Sequence, residues 1–241
     1  MIRKMSAMKN IAALLLALLA ASPSGAQSVT RDEPSIIPRA RSATFDHAGT
    51  FKGDVARATI DEFAACILGR RRKSSLQALA LPSGSMEQGK ALGSLGAKEC
   101  IASGELQFSA YTFRGSLYTA LVRTQFGRKP ASLGPEPVDF TKQPLPGDGS
   151  PPVPDVAALL KFASCVIHKD PENARNAIIA TAGSPAEDAA LAELSKVYGQ
   201  CLYADQTLRF SKGSLKGLLA EAYYREGSAP VQSSAAAAAA P

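Results

Sequence analysis

The chain contains no tryptophan, two histidines and four cysteines among its 241 residues. Each shortage narrows what the protein does. Without tryptophan the strongest sugar-stacking side chain is missing. With only His47 and His168, a histidine base or a His-rich metal site has almost no material to be built from. The two nearest cysteines are 34 positions apart, so the close C-x₂-C pairs of a structural zinc site are absent. No G-x-S-x-G elbow and no H-E-x-x-H helix occurs. The longest apolar run, 11–21, has 11 residues where a membrane-spanning helix needs about 20.

That short run has its own reading. Arg3, Lys4 and Lys9 precede it and small residues close it, with Ser24 and Ala26 fitting a signal-peptidase site. Residues 1–26 are therefore expected to be a removed signal peptide, cleaved after Ala26. The remaining chain carries 24 basic and 21 acidic residues, net +3. So mild a surplus argues against nucleic acid as the partner, because phosphate binding wants a concentrated basic face. Export places the cysteines where disulfides persist. The pattern fits exported proteins of Gram-negative bacteria, periplasmic or secreted.

What the chain does have is self-similarity. "EFAACIL" (62–68) aligns with "KFASCVI" (161–167), 99 residues later. "CIASGELQF" (100–108) aligns with "CLYADQTLRF" (201–210), and "RGSLYTAL" (114–121) with "KGSLKGLL" (212–219). The pattern predicts an all-α protein: an internal duplication of two roughly 72-residue four-helix units, at 51–127 and 155–227. Residues 27–50 read as a flexible arm. Residues 128–154 hold eight of the 16 prolines and read as a semi-extended linker. Residues 228–241 read as a disordered Ala-rich tail.

Within each unit the apolar spacing marks helices. Ala56, Ile60, Phe63 and Ile67 share one face, as do Val156, Leu159, Leu160, Ala163 and Val166. Ser74 with Gln77, and Asp170 with Pro171, open short second helices. Ser85 with Gln88, and Ser184 with Glu187, are capping boxes for third helices, the first running to about Glu99. Gly115 and Gly213 are expected to turn the backbone so that Ser116 and Ser214 cap the fourth helices. The stretch 106–113 alternates weakly and is the one candidate strand.

The repeat also resolves the cysteines. Four cysteines allow three pairings. A bridge older than the duplication lies within a unit, which predicts Cys66–Cys100 and Cys165–Cys201. Each closes a loop of about 35 residues, worth about 4 kcal/mol in the loop-entropy picture. A thiol count on denatured, unreduced protein is then expected to find no free cysteine.

Candidate contact residues are fewer. "RRRK", Arg70, Arg71, Arg72 and Lys73, is the densest charge in the chain. It reads either as a solvated helix end or as a contact for lipid headgroups, lipopolysaccharide or an acidic partner. Residues 51–127 carry net +4 and residues 155–227 net −1, so only the first unit steers towards anions. Arg114 and Lys212, matched in the alignment above, form a second candidate anion contact. Tyr111, Phe113, Tyr118, Tyr203, Tyr223 and Tyr224 line a groove or, by default, the core. "GSMEQGKA" (84–91) approaches a phosphate loop, but Ala91 stands where the magnesium-binding hydroxyl belongs. Glu187, Asp188 and Glu193 read as one solvated helix face.

No catalytic residues, metal ligands or cofactors are assigned from these patterns. The function expected is a non-enzymatic binding or interaction module that meets an envelope protein or an anionic surface. Two alternatives stay open: a carboxylate-dependent hydrolase without a recognisable motif, and attachment to the envelope surface through 70–73.

Overall fold

In the computed structural model, residues 52–101, 106–138, 140, 154–202 and 209–238 are described. All of them belong to one compact unit. Residues 1–51, where the signal peptide and arm were expected, fall outside that set, as do His47 and Tyr203.

The described residues are helical, without a strand. The helices are α1 (Lys52–Arg70), α2 (Arg72–Ala80), α3 (Met86–Ser94), α4 (Ala110–Phe126), α5 (Pro154–Lys169), α6 (Pro171–Ile179), α7 (Pro185–Cys201) and α8 (Lys212–Ala238). A short 3₁₀ turn spans Lys98–Cys100. None of these helices is long and apolar enough to cross a membrane.

The caps explain where several helices begin. Ser85 and Ser184 accept from the backbone N–H of Gln88 and Glu187, and Asp170 accepts from Asn173. Gln88 Oε1 and Glu187 Oε2 reach back to the N–H of Gly84 and Gly183. Those two glycines have φ of +80° and +75°, a left-handed turn that a side chain would disfavour. At three places the structure departs from the sequence reading. α2 starts at Arg72, directly after α1, so Ser74 lies within it. α3 stops at Ser94 rather than near Glu99, in a segment loosened by Gly93 and Gly96. α4 and α8 start earlier than Ser116 and Ser214: Ser109 and Ser211 accept from Thr112 and Ser214.

The two caps move by seven and three residues, and the difference of four, about one turn, changes the alignment. Counted from their caps, α4 and α8 carry Arg114 and Lys216 at the same position, followed by Gly115 and Gly217. Arg114 and Lys212 are therefore not equivalents. Gly115 is no turn residue either. It lies inside α4, where a Cβ would come within 2.8 Å of the Gly217 Cα, and the reverse holds equally. The two glycines let the helices cross backbone to backbone.

α4 and α8 share the most extensive helix–helix interface of the fold, with α1 against α4 and α5 against α8 outside them. The core is continuous across all of these, from Phe63, Ile67 and Leu92 through Leu117 and Leu121 to Leu160, Ile178, Leu194 and Leu219. Both bridges lie where the spacing predicts, Cys66–Cys100 and Cys165–Cys201, and no cysteine is free. Beside each, a phenylalanine of the first helix meets one that precedes the fourth. Phe63–Phe108 and Phe162–Phe210 have ring centroids 5.7 and 5.6 Å apart.

Two further stretches differ from expectation. The described part of the proline-rich segment is fastened to the core rather than left as a spacer. Ala131 N–H donates to the Tyr223 hydroxyl, Val138 N–H donates to Ser164 Oγ, and Phe140 is buried. α8 continues to Ala238, through much of the stretch read as a disordered tail. Alanine, which dominates its end, has the best helix propensity of any residue.

Candidate functional site

Around the glycine crossing the helices carry two buried ionic clusters, one on each side. On the first, the Arg114 guanidinium makes a bidentate pair with Glu221, through Nε and Nη2 at 2.9 and 2.7 Å. Its Nη1 donates to the carbonyl of Leu79, in the last turn of α2. Arg225 joins from one turn further along α8, with Nη2 at 2.8 Å from Glu221 and 3.2 Å from the Tyr118 hydroxyl. Arg114 is 1% exposed. A guanidinium is suited to this place because its planar fork matches a carboxylate. Burial raises the Tyr118 and Tyr111 hydroxyl pKa values. Burial alone would also raise Glu221, but Arg114 and Arg225 outweigh it and hold the carboxyl below its ordinary value.

On the second side, Lys216 Nζ lies 3.1 Å from Glu187, 3.4 Å from Asp61 and 2.7 Å from the carbonyl of Ala180, just past α6. Arg57 of α1 closes the cluster with a bidentate grip on Glu187, at 2.9 and 2.7 Å, and a further pair to Asp54. Ser116 donates to Asp61 Oδ1, while Asp61 Oδ2 faces Arg123 at 3.3 Å. Glu187 is fully buried. It does not lie on a solvated face with Asp188 and Glu193 as the sequence implied, because its capping position turns it inward. Burial alone would raise its pKa. The hydrogen bonds from Arg57 and Gly183 and the Lys216 ammonium win, and hold it at about 2. Burial pushes Lys216 down, partly offset by Asp61 and Glu187.

A reciprocal clasp lies close by. Arg123 of α4 donates to the carbonyls of Ile179 and Ala180 at the end of α6. Arg175 of α6 donates to those of Phe126 and Gly127 at the end of α4. Each cation satisfies the free carbonyls and the negative dipole end of the other helix.

The openings beside the clusters are small. Clefts lined by Tyr111, Arg114 and Glu221, and by Arg57, Asp61 and Lys216, enclose about 20 Å³ each, room for a water. A larger groove of about 510 Å³ runs between the proline-rich segment and α6, lined by Pro130, Ala131, Leu133, Pro171, Arg175 and Tyr223 among others. Among the described residues no group of three or more His, Cys, Asp or Glu side chains is placed to hold a metal ion.

The sequence-derived candidates separate in space. Arg70, Arg71, Arg72 and Lys73 are exposed at the α1–α2 junction. Arg114 is spent inside the core, so no external anion reaches it. Lys212 is exposed and pairs with Asp188 at 2.6 Å. Tyr223 and Phe113 are core residues, whereas Tyr111 is 42% exposed. His168 is bonded to Glu226 at 2.7 Å, not to a cysteine. The residues that sequence reasoning missed are Arg57, Asp61, Glu187, Lys216, Glu221 and Arg225. One signal was present: Glu221 and Arg225 are four apart on a helix, and Glu187 is the third residue after a cap.

Comparison of the chain with protein-family models, with curated proteins and with solved structures found no match.

Proposed function

We propose that the chain is an exported, non-enzymatic binding module built by internal duplication, with residues 51–127 and 155–227 as its two units. The observation that carries the reading is the state of the buried carboxylates. Glu187 is held at about 2 and Glu221 below its ordinary value, each locked in bidentate contact with an arginine. A hydrolase acid needs the reverse, a carboxyl whose pKa is raised and which faces a cleft that admits substrate. Here such groups serve as struts, and the clefts beside them admit only water.

The duplication has its own support. Four helices recur in the same order, with bridges spanning 34 and 36 residues. The glycine-plus-serine caps and the Phe–Phe contacts recur as well. Two disulfides fit an oxidising extracytoplasmic location. We place the protein in the periplasm or outside a Gram-negative cell, with an envelope component as partner.

The test pairs two measurements on purified oxidised protein. A panel of ester, peptide, phosphate and glycoside substrates is expected to show no turnover above a denatured control. Cross-linking in the envelope is expected to return the same adduct repeatedly. Turnover that disappears in Asp61→Asn, the carboxylate bordering a cleft, would replace this reading with the hydrolase.

A further inference from the structure

At the junction of α1 and α2 four consecutive exposed side chains, Arg70 to Lys73, are all cations. None has an ion-pair partner among the described residues. The Arg71 guanidinium is steadied by a bond to the Ser94 carbonyl at 3.2 Å. The Cys66–Cys100 bridge ties the turn Lys98–Cys100, with exposed Lys98 and exposed Glu99, to α1.

The fold does not require this charge. The same helix–helix junction between α5 and α6 is built from Lys169, Asp170, Pro171 and Glu172, one cation and two acids. There Asp170 caps α6, whereas Arg71 gives α2 no side-chain cap. The basic run therefore sits where an acidic cap would have served the helix better.

The partner class follows from what the corner lacks. Protein interfaces centre on aromatic and arginine anchors sunk among well-packed, desolvated contacts. The large apolar side chains that stand exposed among the described residues are Met86 and Tyr111, and neither belongs to this junction. A run of exposed cations without packed apolar neighbours suits a surface whose charge is spread out and mobile. We propose that Arg70–Lys73 dock the protein on an anionic lipid bilayer. This rests on the binding-module reading and names its partner.

The experiment is co-sedimentation of purified oxidised protein with vesicles of phosphatidylcholine, alone or mixed with phosphatidylglycerol. Binding is expected only to the anionic vesicles. It should collapse when salt rises to about 1 M and the screening length falls to about 3 Å. Each cation near an anionic membrane is worth about fivefold in affinity. The variant with all four residues changed to Gln should therefore bind at least about 100-fold more weakly. Lys196→Gln, an exposed cation of α7, should bind as wild type. Circular dichroism and an absence of free thiols establish that the variants fold. Unchanged binding by the quadruple variant, equal binding to neutral vesicles, or no binding at low salt overturns the proposal. Wild type that ignores vesicles yet binds soluble polyglutamate through these four residues also overturns it, in favour of an acidic protein. That outcome leaves the binding-module reading standing, whereas substrate turnover by the same preparation would sink it.

Discussion

Arg114 and Lys216 occupy the same position on two helices that cross each other, yet they are neutralised in different ways. Arg114 reaches across the crossing to a carboxylate on the opposite helix, Glu221. Lys216 turns outward, to Asp61 on α1 and Glu187 on α7. The difference tracks the head group. A guanidinium makes two parallel bonds to one partner; an ammonium is a point charge that collects several. Glu221 has Thr119 as its counterpart on α4, so the carboxylate that serves Arg114 has no twin to serve Lys216. The crossing of α4 and α8 is thus flanked by two unlike ionic clusters.

Breaking one partner of the first cluster should have the largest effect. Arg114→Leu leaves buried Glu221 with Arg225 as its remaining cation and removes the bidentate grip, and is expected to cost about 3 kcal/mol in chemical denaturation. Replacing Arg114, Glu221 and Arg225 together by Leu or Met should recover most of that loss, since a well-filled apolar replacement is often neutral, whereas Arg114→Leu with Glu221→Leu leaves Arg225 unpaired. If the triple variant is as unstable as the single one, the cluster does more than neutralise itself.

Acid should distinguish the second cluster. The Glu187 pKa of about 2 lies below the ordinary carboxyl value of 4.5. Its contribution is therefore complete above pH 4.5 and fades as pH falls towards 2, by about 3 kcal/mol in total. Urea midpoints measured across that window should fall more steeply for wild type than for Glu187→Gln. Parallel slopes would remove Glu187 from the account.

The crossing itself is the next test. Gly115→Ala and Gly217→Ala each place a methyl group 2.8 Å from the opposing backbone, and about 1–3 kcal/mol of overpacking is expected from either. Because both intrude on the same point, the double variant should cost less than the sum. The smallest effect compares the two junctions. Asp170→Ala should lose about 1 kcal/mol with its cap, while Arg71→Asp should gain a few tenths to about 1 kcal/mol in thermal or urea unfolding.

Most of the helical framework is legible in the sequence. Helix-period stripes, capping serines and the spacing of Cys66, Cys100, Cys165 and Cys201 encode local geometry, and local geometry is written in neighbouring residues. The register of α4 on α8 was not legible, because "RGSL" and "KGSL" offer a false match one helical turn away from the true one. Only Ser109 and Ser211, plainer residues, set the start. The ionic clusters were hidden for a different reason. Arg57 meets Glu187 across 130 positions and Arg114 meets Glu221 across 107, and no pattern along a chain announces a pairing at that range.

Those long separations matter while the protein is being made. Chains emerge at about 5–20 residues per second, so α4 waits on the order of ten seconds for α8 to arrive. The bridges make no such demand. Each joins a cysteine to the next one along, Cys66 to Cys100 and then Cys165 to Cys201. An oxidant that links thiols in the order they appear produces the native pairing without reshuffling. The first bridge needs nothing from the second pair of cysteines, whereas the buried charges of α4 are left for α8 to cover.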